Sequence, residues 1–294
     1  MQPIWLLFVS AWLTVLIMTP AAAGAAGVKV FIFAGQSNMD GRARKADLVG
    51  PLAKWAQPQG DVRIAYSNST LRGPYTSGGF KPLEPGYSVT SGTRDRLGDA
   101  YKLPGSRFGP EVSFGRTIAD ALPQARIALI KFSEGGTSLQ GDWAPDKNGG
   151  LYEEFLAFVR QSLKALRDGG ETVEVAGIVW HQGESDTSLP PGKYQQLLTE
   201  LIARLRKDLS SPEVPFVIGE VFDNGSRDAV RAGQLATSQA VHATLLVSVK
   251  GLTTLDKDTH FDSASQIELG RRIAEAWLTY HARSAGPKNP NRGH

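Results

Sequence analysis

Ser37 stands in the tetrapeptide Gly35-Gln36-Ser37-Asn38, directly after an almost unbroken apolar run from Val28 to Ala34. A hydroxyl behind a glycine at the carboxyl end of a buried strand is where an open α/β sheet presents reacting groups. Ser37 is therefore a candidate nucleophile, with a cap for the next helix as the alternative. Further polar clusters follow later apolar runs: GGTS at 135–138 after Ala125–Phe132, and HQGE at 181–184 after Val173–Trp180. A serine nucleophile needs a base that titrates near neutrality, which is a task for histidine. Of the five histidines, His294 lies in the C-terminal tail, His281 at a predicted helix end and His242 within a helical stretch. His260 follows Asp256 and Asp258 in a predicted loop, from which it can reach a serine on another strand while a carboxylate fixes its tautomer. His181 either lines the same pocket or satisfies a buried hydrogen bond. The chain has no cysteine, which excludes disulfides, metal-thiolate sites and a cysteine nucleophile.

Such clusters converge only if their strands lie side by side. Apolar runs at Val28–Ala34, Ala125–Phe132, Val173–Trp180, Val214–Phe222 and Leu245–Val249 predict five strands. Between them, 3.6-residue periodicity predicts helices from Pro110 to about Leu122, over Leu151–Leu166, Lys193–Leu209 and Asp228–Ala243, and at the end over Ser263–His281. This alternation implies right-handed crossovers and a mostly parallel five-stranded sheet covered on both faces. Residues 40–109 are rich in turn formers and predict irregular binding loops.

The length of 294 residues suits one large α/β domain, expected over 27–284. The net charge of +3 is scattered rather than clustered, so no nucleic-acid footprint is expected. The uncharged run Ile4–Met18, followed by small residues, predicts a cleaved leader over 1–26. It is shorter than the roughly 20 residues that span a bilayer, so a secreted or periplasmic protein without stable membrane association is expected. The tail 285–294 is expected to be disordered.

GQSNM at 35–39, FGPEVSFG at 108–115, GGTS at 135–138, WHQGESD at 180–186 and THFD with QIELGRR at 259–272 together resemble the SGNH-hydrolase superfamily. The similarity is to its carbohydrate-esterase branch of acetylxylan esterases and sialate O-acetylesterases, in the family's motif order. The resemblance implies a flavodoxin-like three-layer α/β/α sandwich, no metal or other cofactor, and hydrolysis of acetyl esters on a carbohydrate. It also implies Ser37 as nucleophile, His260 as base, and an oxyanion hole from the N–H of Ser37, the N–H of Gly136 (or Gly135) and the amide of Gln182. Many relatives carry an aspartate three residues before the histidine, where this chain has Lys257. Glu184 is therefore expected to orient His260, with Asp258 assisting or substituting. Gln36, Asn38, Arg42, Trp143 and His181 are expected on the substrate side, with Tyr75 and Phe80 either in a sugar-stacking wall or in local packing. Two other readings remain: a non-catalytic carbohydrate-binding protein on the same fold, and a secreted lipid esterase or thioesterase.

Overall fold

The computed structural model describes residues 27–69, 75–89 and 104–284, so the predicted leader and tail lie outside the described residues. Strand β1 (Val28–Gly35) runs through the middle of the sheet and is apolar on both faces. Val28, Val30, Ile32 and Ala34 face one core, while Phe31 and Phe33 face the other. After β1 the chain makes a single helical turn, α1 (Ser37–Asp40), and a short strand β2 (Ala43–Arg44). It continues through β3 (Gln59–Ser67), β4 (Lys81–Leu83), β5 (Arg107–Phe108), α2 (Glu111–Ala121), β6 (Arg126–Ser133), α3 (Leu151–Asp168) and β7 (Val173–His181). The remainder is α4 (Lys193–Asp208), β8 (Phe216–Gly219), α5 (Asp228–Ala240), β9 (Thr244–Val247) and α6 (Ser263–Ser284).

The main sheet has seven strands in the order β4-β3-β6-β1-β7-β8-β9, not the expected five, and β2 pairs with β5 separately. All neighbours are parallel except β3 and β4. The five expected strands run second-first-third-fourth-fifth, the flavodoxin-like order. The two extra strands come from residues 40–109, whose turn formers predict irregular loops. Val62, Ile64 and Tyr66 of β3 alternate into the core, but Gly60, Asp61 and Arg63 break up the apolar run that marks a central strand.

Helices α3, α4 and α5 cover one face; Leu151, Phe155, Val159, Leu198, Ile202 and Val230 pack there on Val30 and Ile32. Helices α2 and α6 cover the other, where Phe114, Ile118, Leu269, Ile273 and Trp277 surround Phe31 and Phe33. The β1–β7 register shifts between Val30 and Phe31, which leaves Ala176 unpaired. Its carbonyl accepts the indole N–H of Trp277 at 2.8 Å, so that buried carbonyl keeps a partner at the bulge.

One charged pair lies inside this apolar frame. Lys131 of β6 and Glu111 of α2 are both fully buried, with Nζ 2.8 Å from Oε2. Lys131 also donates to the carbonyls of Asp40 at 2.7 Å and Tyr87 at 2.8 Å, which ties the turn after β1 to the loop after β4. Burial pushes the Glu111 carboxyl above its ordinary value, and Lys131 offsets part of that shift. Lys131→Met leaves Glu111 buried without its cation and is expected to cost about 3–5 kcal/mol in urea unfolding. Adding Glu111→Leu should restore part of that loss, because no unpaired charge then remains. A double variant no more stable than Lys131→Met would show that the carbonyl contacts, not the ion pair, carry the cost.

Candidate active site

Strand β1 ends at Gly35, directly beside the end of β7. A Cβ on Gly35, whose φ is +149°, would lie 2.1 Å from the carbonyl oxygen of His181. With no side chain there, the Gln36 N–H reaches that oxygen at 3.0 Å, and the chain turns so that Ser37 sits above the sheet. At the opposite wall, residues 248–262 connect β9 to α6 and carry His260. Its Nε2 lies 3.0 Å from Ser37 Oγ, and its Nδ1 makes a short hydrogen bond with the carboxylate of Asp256.

Asp256, not Glu184 or Asp258, is thus the carboxylate at His260. It lies four residues before the histidine, and Lys257 in between adopts a left-handed conformation with φ 76°. That one residue takes up the extra length and turns Asp256 back toward the imidazole. The other carboxylate oxygen of Asp256 accepts the backbone N–H of His260 at 2.8 Å and of Thr259 at 3.2 Å. Burial pushes the Asp256 carboxyl up, but these N–H donors and the imidazole outweigh it and hold the group below its ordinary value. The Asp258 side chain is exposed and accepts the Thr259 hydroxyl at 2.9 Å.

Glu184 sits elsewhere. Its Oε1 accepts from Asn38 Nδ2 at 2.7 Å and lies 3.5 Å from His181 Nε2. Burial raises its carboxyl, but His181 and Asn38 pull it further down, so it is held below the ordinary carboxylate value.

The cleft above Ser37 has a volume of about 400 Å³, and Gln36, Arg42, Gly135, Gly136, Arg227 and His260 are among its lining residues. Other residues expected on the substrate side are buried instead. Trp143 is fully buried, donates to Thr137 Oγ1 at 3.0 Å and packs edge-on against Trp180, so it is core and not a sugar platform. Phe80 packs at the edge of that core beside Arg63, and Tyr75 packs on the opposite core. His181 and Asn38 are fully buried beneath the cleft.

Gln182 is also fully buried, and its Nε2 is directed at Asp186 Oδ2 (2.5 Å), the Thr137 carbonyl (3.0 Å) and Gln36 Oε1 (3.2 Å). Tyr194 donates to its Oε1 at 3.2 Å. An amide with two N–H donors and three acceptors has none left for an oxyanion. Gln36 differs: its Oε1 takes the Gly183 N–H at 3.3 Å as well as Gln182, while its Nε2 meets no acceptor among the described residues. The backbone N–H groups of Ser37, Gly135 and Gly136 likewise have no acceptor among the described residues.

Arg227 had no motif to mark it. It is buried, donates to the carbonyls of Phe222 (3.1 Å) and Asp258 (2.9 Å) and to Thr259 Oγ1 (2.8 Å), and so anchors the His260 loop. Arg42 is held by Asp40 at 2.7 Å, and its Nη2 lies over Gly135. Among the described residues no group of three or more His, Asp or Glu is arranged to hold a metal ion.

Comparison with known proteins adds a family. A model described as carbohydrate esterase, sialic acid-specific acetylesterase matches residues 27–279. A probable carbohydrate esterase of Arabidopsis thaliana is 29% identical over 176 residues, which is 58% of this chain and 64% of that protein's length. The X-ray structure of an Arabidopsis thaliana protein superposes with a TM-score of 0.67 at 23% identity, covering 86% of this chain and 98% of that one. NanS gives 0.62 at 15% identity, with 88% and 99% covered. A carbohydrate acetylesterase from Xanthomonas citri gives 0.57 at 18%, with 84% and 55% covered.

Asp256→Asn is expected to lower kcat on an aryl acetate by on the order of 10⁴-fold, because the amide can stabilise the wrong imidazole tautomer. Asp258→Asn should leave it nearly unchanged, and equal losses in the two would contradict the geometry. Because the folded chain holds the Asp256 carboxyl low, its contribution to stability is present above its unfolded value and lost as pH falls through the folded one. The stability gap between wild type and Asp256→Asn should therefore narrow in acid below about pH 4.

Proposed function

Because this chain belongs to the carbohydrate esterase, sialic acid-specific acetylesterase family, we propose that it is a serine esterase that removes O-acetyl groups from carbohydrates, such as acetylxylan or related glycans. The reading rests above all on the Ser37–His260–Asp256 chain at the floor of an open cleft. Ser37 Oγ attacks the acetyl carbonyl carbon as His260 Nε2 takes its proton, and Asp256 stabilises the imidazolium that forms. The C=O pair moves onto oxygen and meets the free N–H donors of Ser37 and Gly136, with Gln36 Nε2 in place of the buried Gln182 amide. Collapse of the tetrahedral adduct breaks the C–O bond to the sugar, and His260 protonates the departing hydroxyl. A water molecule, deprotonated by His260, then attacks the acetyl-serine, and acetate leaves with Ser37 regenerated.

The polar lining, with the Arg42 and Arg227 guanidiniums, suits a sugar better than an acyl chain and weighs against the lipid esterase reading. The Asp256 contact weighs against a non-catalytic binder, since the carboxylate missing from the usual position is supplied one residue earlier. The leader-like run Ile4–Met18 adds an exported location to the proposal.

Acetate release should be measured from acetylated xylan and from O-acetylated sialic acid. Release from at least one of them, abolished in Ser37→Ala, is the expected result. A folded Ser37→Ala protein that retains turnover of an aryl acetate sinks the mechanism. Gln36→Ala should lower kcat by about 100- to 1,000-fold, the usual loss for one oxyanion donor. Gln182→Ala would act only through the loops it braces, and a loss at Gln182 without one at Gln36 would reverse the assignment.

A further inference from the structure

Ser37 and His260 lie 223 residues apart, on turns that follow different strands, and must meet within hydrogen-bond distance. Asn38 joins the two turns. Its Nδ2 donates to the Thr259 carbonyl at 2.9 Å and its Oδ1 accepts the Phe261 N–H at 3.1 Å, so one side chain grips the backbone on both sides of His260. Asn38 is fully buried, and Gln266 Nε2 of α6 holds its carbonyl oxygen at 3.0 Å. Glu184 fixes which end of the amide faces which peptide group. A carboxylate only accepts, so its 2.7 Å contact must be to the Asn38 NH₂ group, which leaves Oδ1 for the Phe261 N–H. The motif glutamate thus acts on His260 through Asn38.

We propose that Asn38, oriented by Glu184, is the positioning residue that holds the His260 loop in register with Ser37. Asparagine suits this position because it offers a donor and an acceptor together. Aspartate would face both Glu184 and the Thr259 carbonyl with no donor, and leucine would leave two peptide groups buried and unpaired. The consequence is kinetic as well as structural, since displacing a reacting group by about 1 Å costs on the order of 100-fold in rate. This inference rests on the serine esterase reading for its kinetic part only.

The test uses the full chain carrying Asn38→Ala, with aryl acetate kinetics and amide hydrogen exchange at Phe261. The expected result is a kcat lowered by on the order of 100-fold with KM unchanged, together with faster exchange of the Phe261 N–H in a folded protein. Wild-type kcat, or wild-type exchange at Phe261, would overturn the proposal. If Asn38→Ala fails to fold, Glu184→Gln and Glu184→Ala decide. The glutamine, which keeps an oxygen for Asn38, should lose less kcat than the alanine, and equal losses would overturn the role of Glu184 in orienting Asn38. A wild type without Ser37-dependent turnover would count against the esterase reading, while the exchange measurement, which needs no substrate, would still judge the tie.

Discussion

The site depends on the contact between Gly35 and the carbonyl of His181. Two parallel strands there approach so closely that no Cβ fits at Gly35, and the first turns where the third one ends. Glycine makes that close approach possible, and the Gln36 N–H uses the same carbonyl to hold the turn that carries Ser37 in place. Gln36 and Asn38, on either side of the nucleophile, meet Gly183 and Glu184, so residues that follow the first and third expected strands share one cleft floor. Between these strands lies the point where the order of connections reverses, the usual position for a ligand site in such a sheet.

Below the floor, polar groups replace part of the apolar packing. Asp40 is buried and accepts from Tyr66 (2.7 Å), Ser133 (3.0 Å), Ser88 (3.0 Å) and Arg42 (2.7 Å). Burial, with the Asp40 carboxylate, pushes the Tyr66 phenol well up, so it remains a donor. This carboxylate pins the Arg42 guanidinium at the cleft, while Lys131 grips the Asp40 carbonyl from the other side. A network in which each member is satisfied is rigid, because any displacement leaves a buried group without a partner. The rigidity is passed to the turn that carries Ser37, only three residues before Asp40.

Much of this was legible in the sequence because it is local. Val28–Ala34 is apolar on both faces, which already specifies a central strand, and the helix periodicities around residues 151–166 and 193–209 needed no tertiary information. The family resemblance and the fold it implies hold over residues 27–279. Strand β3 was not legible, because its pattern is the half-apolar one of a position near the sheet edge, embedded in turn formers. Lys131 illustrates the converse: its full burial rests on Glu111 of a different element, 2.8 Å away, which no local pattern records.

The sequence by itself determined the fold class, the edge of the sheet where chemistry can occur, and the serine and histidine placed there. Only the tertiary structure decided which carboxylate reaches His260 and which amide faces the cleft. Spacing favoured Glu184 because Asp256 is one residue too early for the common pattern, yet a single left-handed residue, Lys257, is enough to bring it back. Likewise Gln182 and Gln36 are the same residue type, yet Asp186 and Thr137 engage the Nε2 of Gln182 while that of Gln36 meets no acceptor among the described residues. Strand and helix patterns record burial, which is cumulative along the chain. The direction in which one polar side chain points is set by the hydrogen-bond partners that compete for it, and those partners arrive from elements far away in sequence.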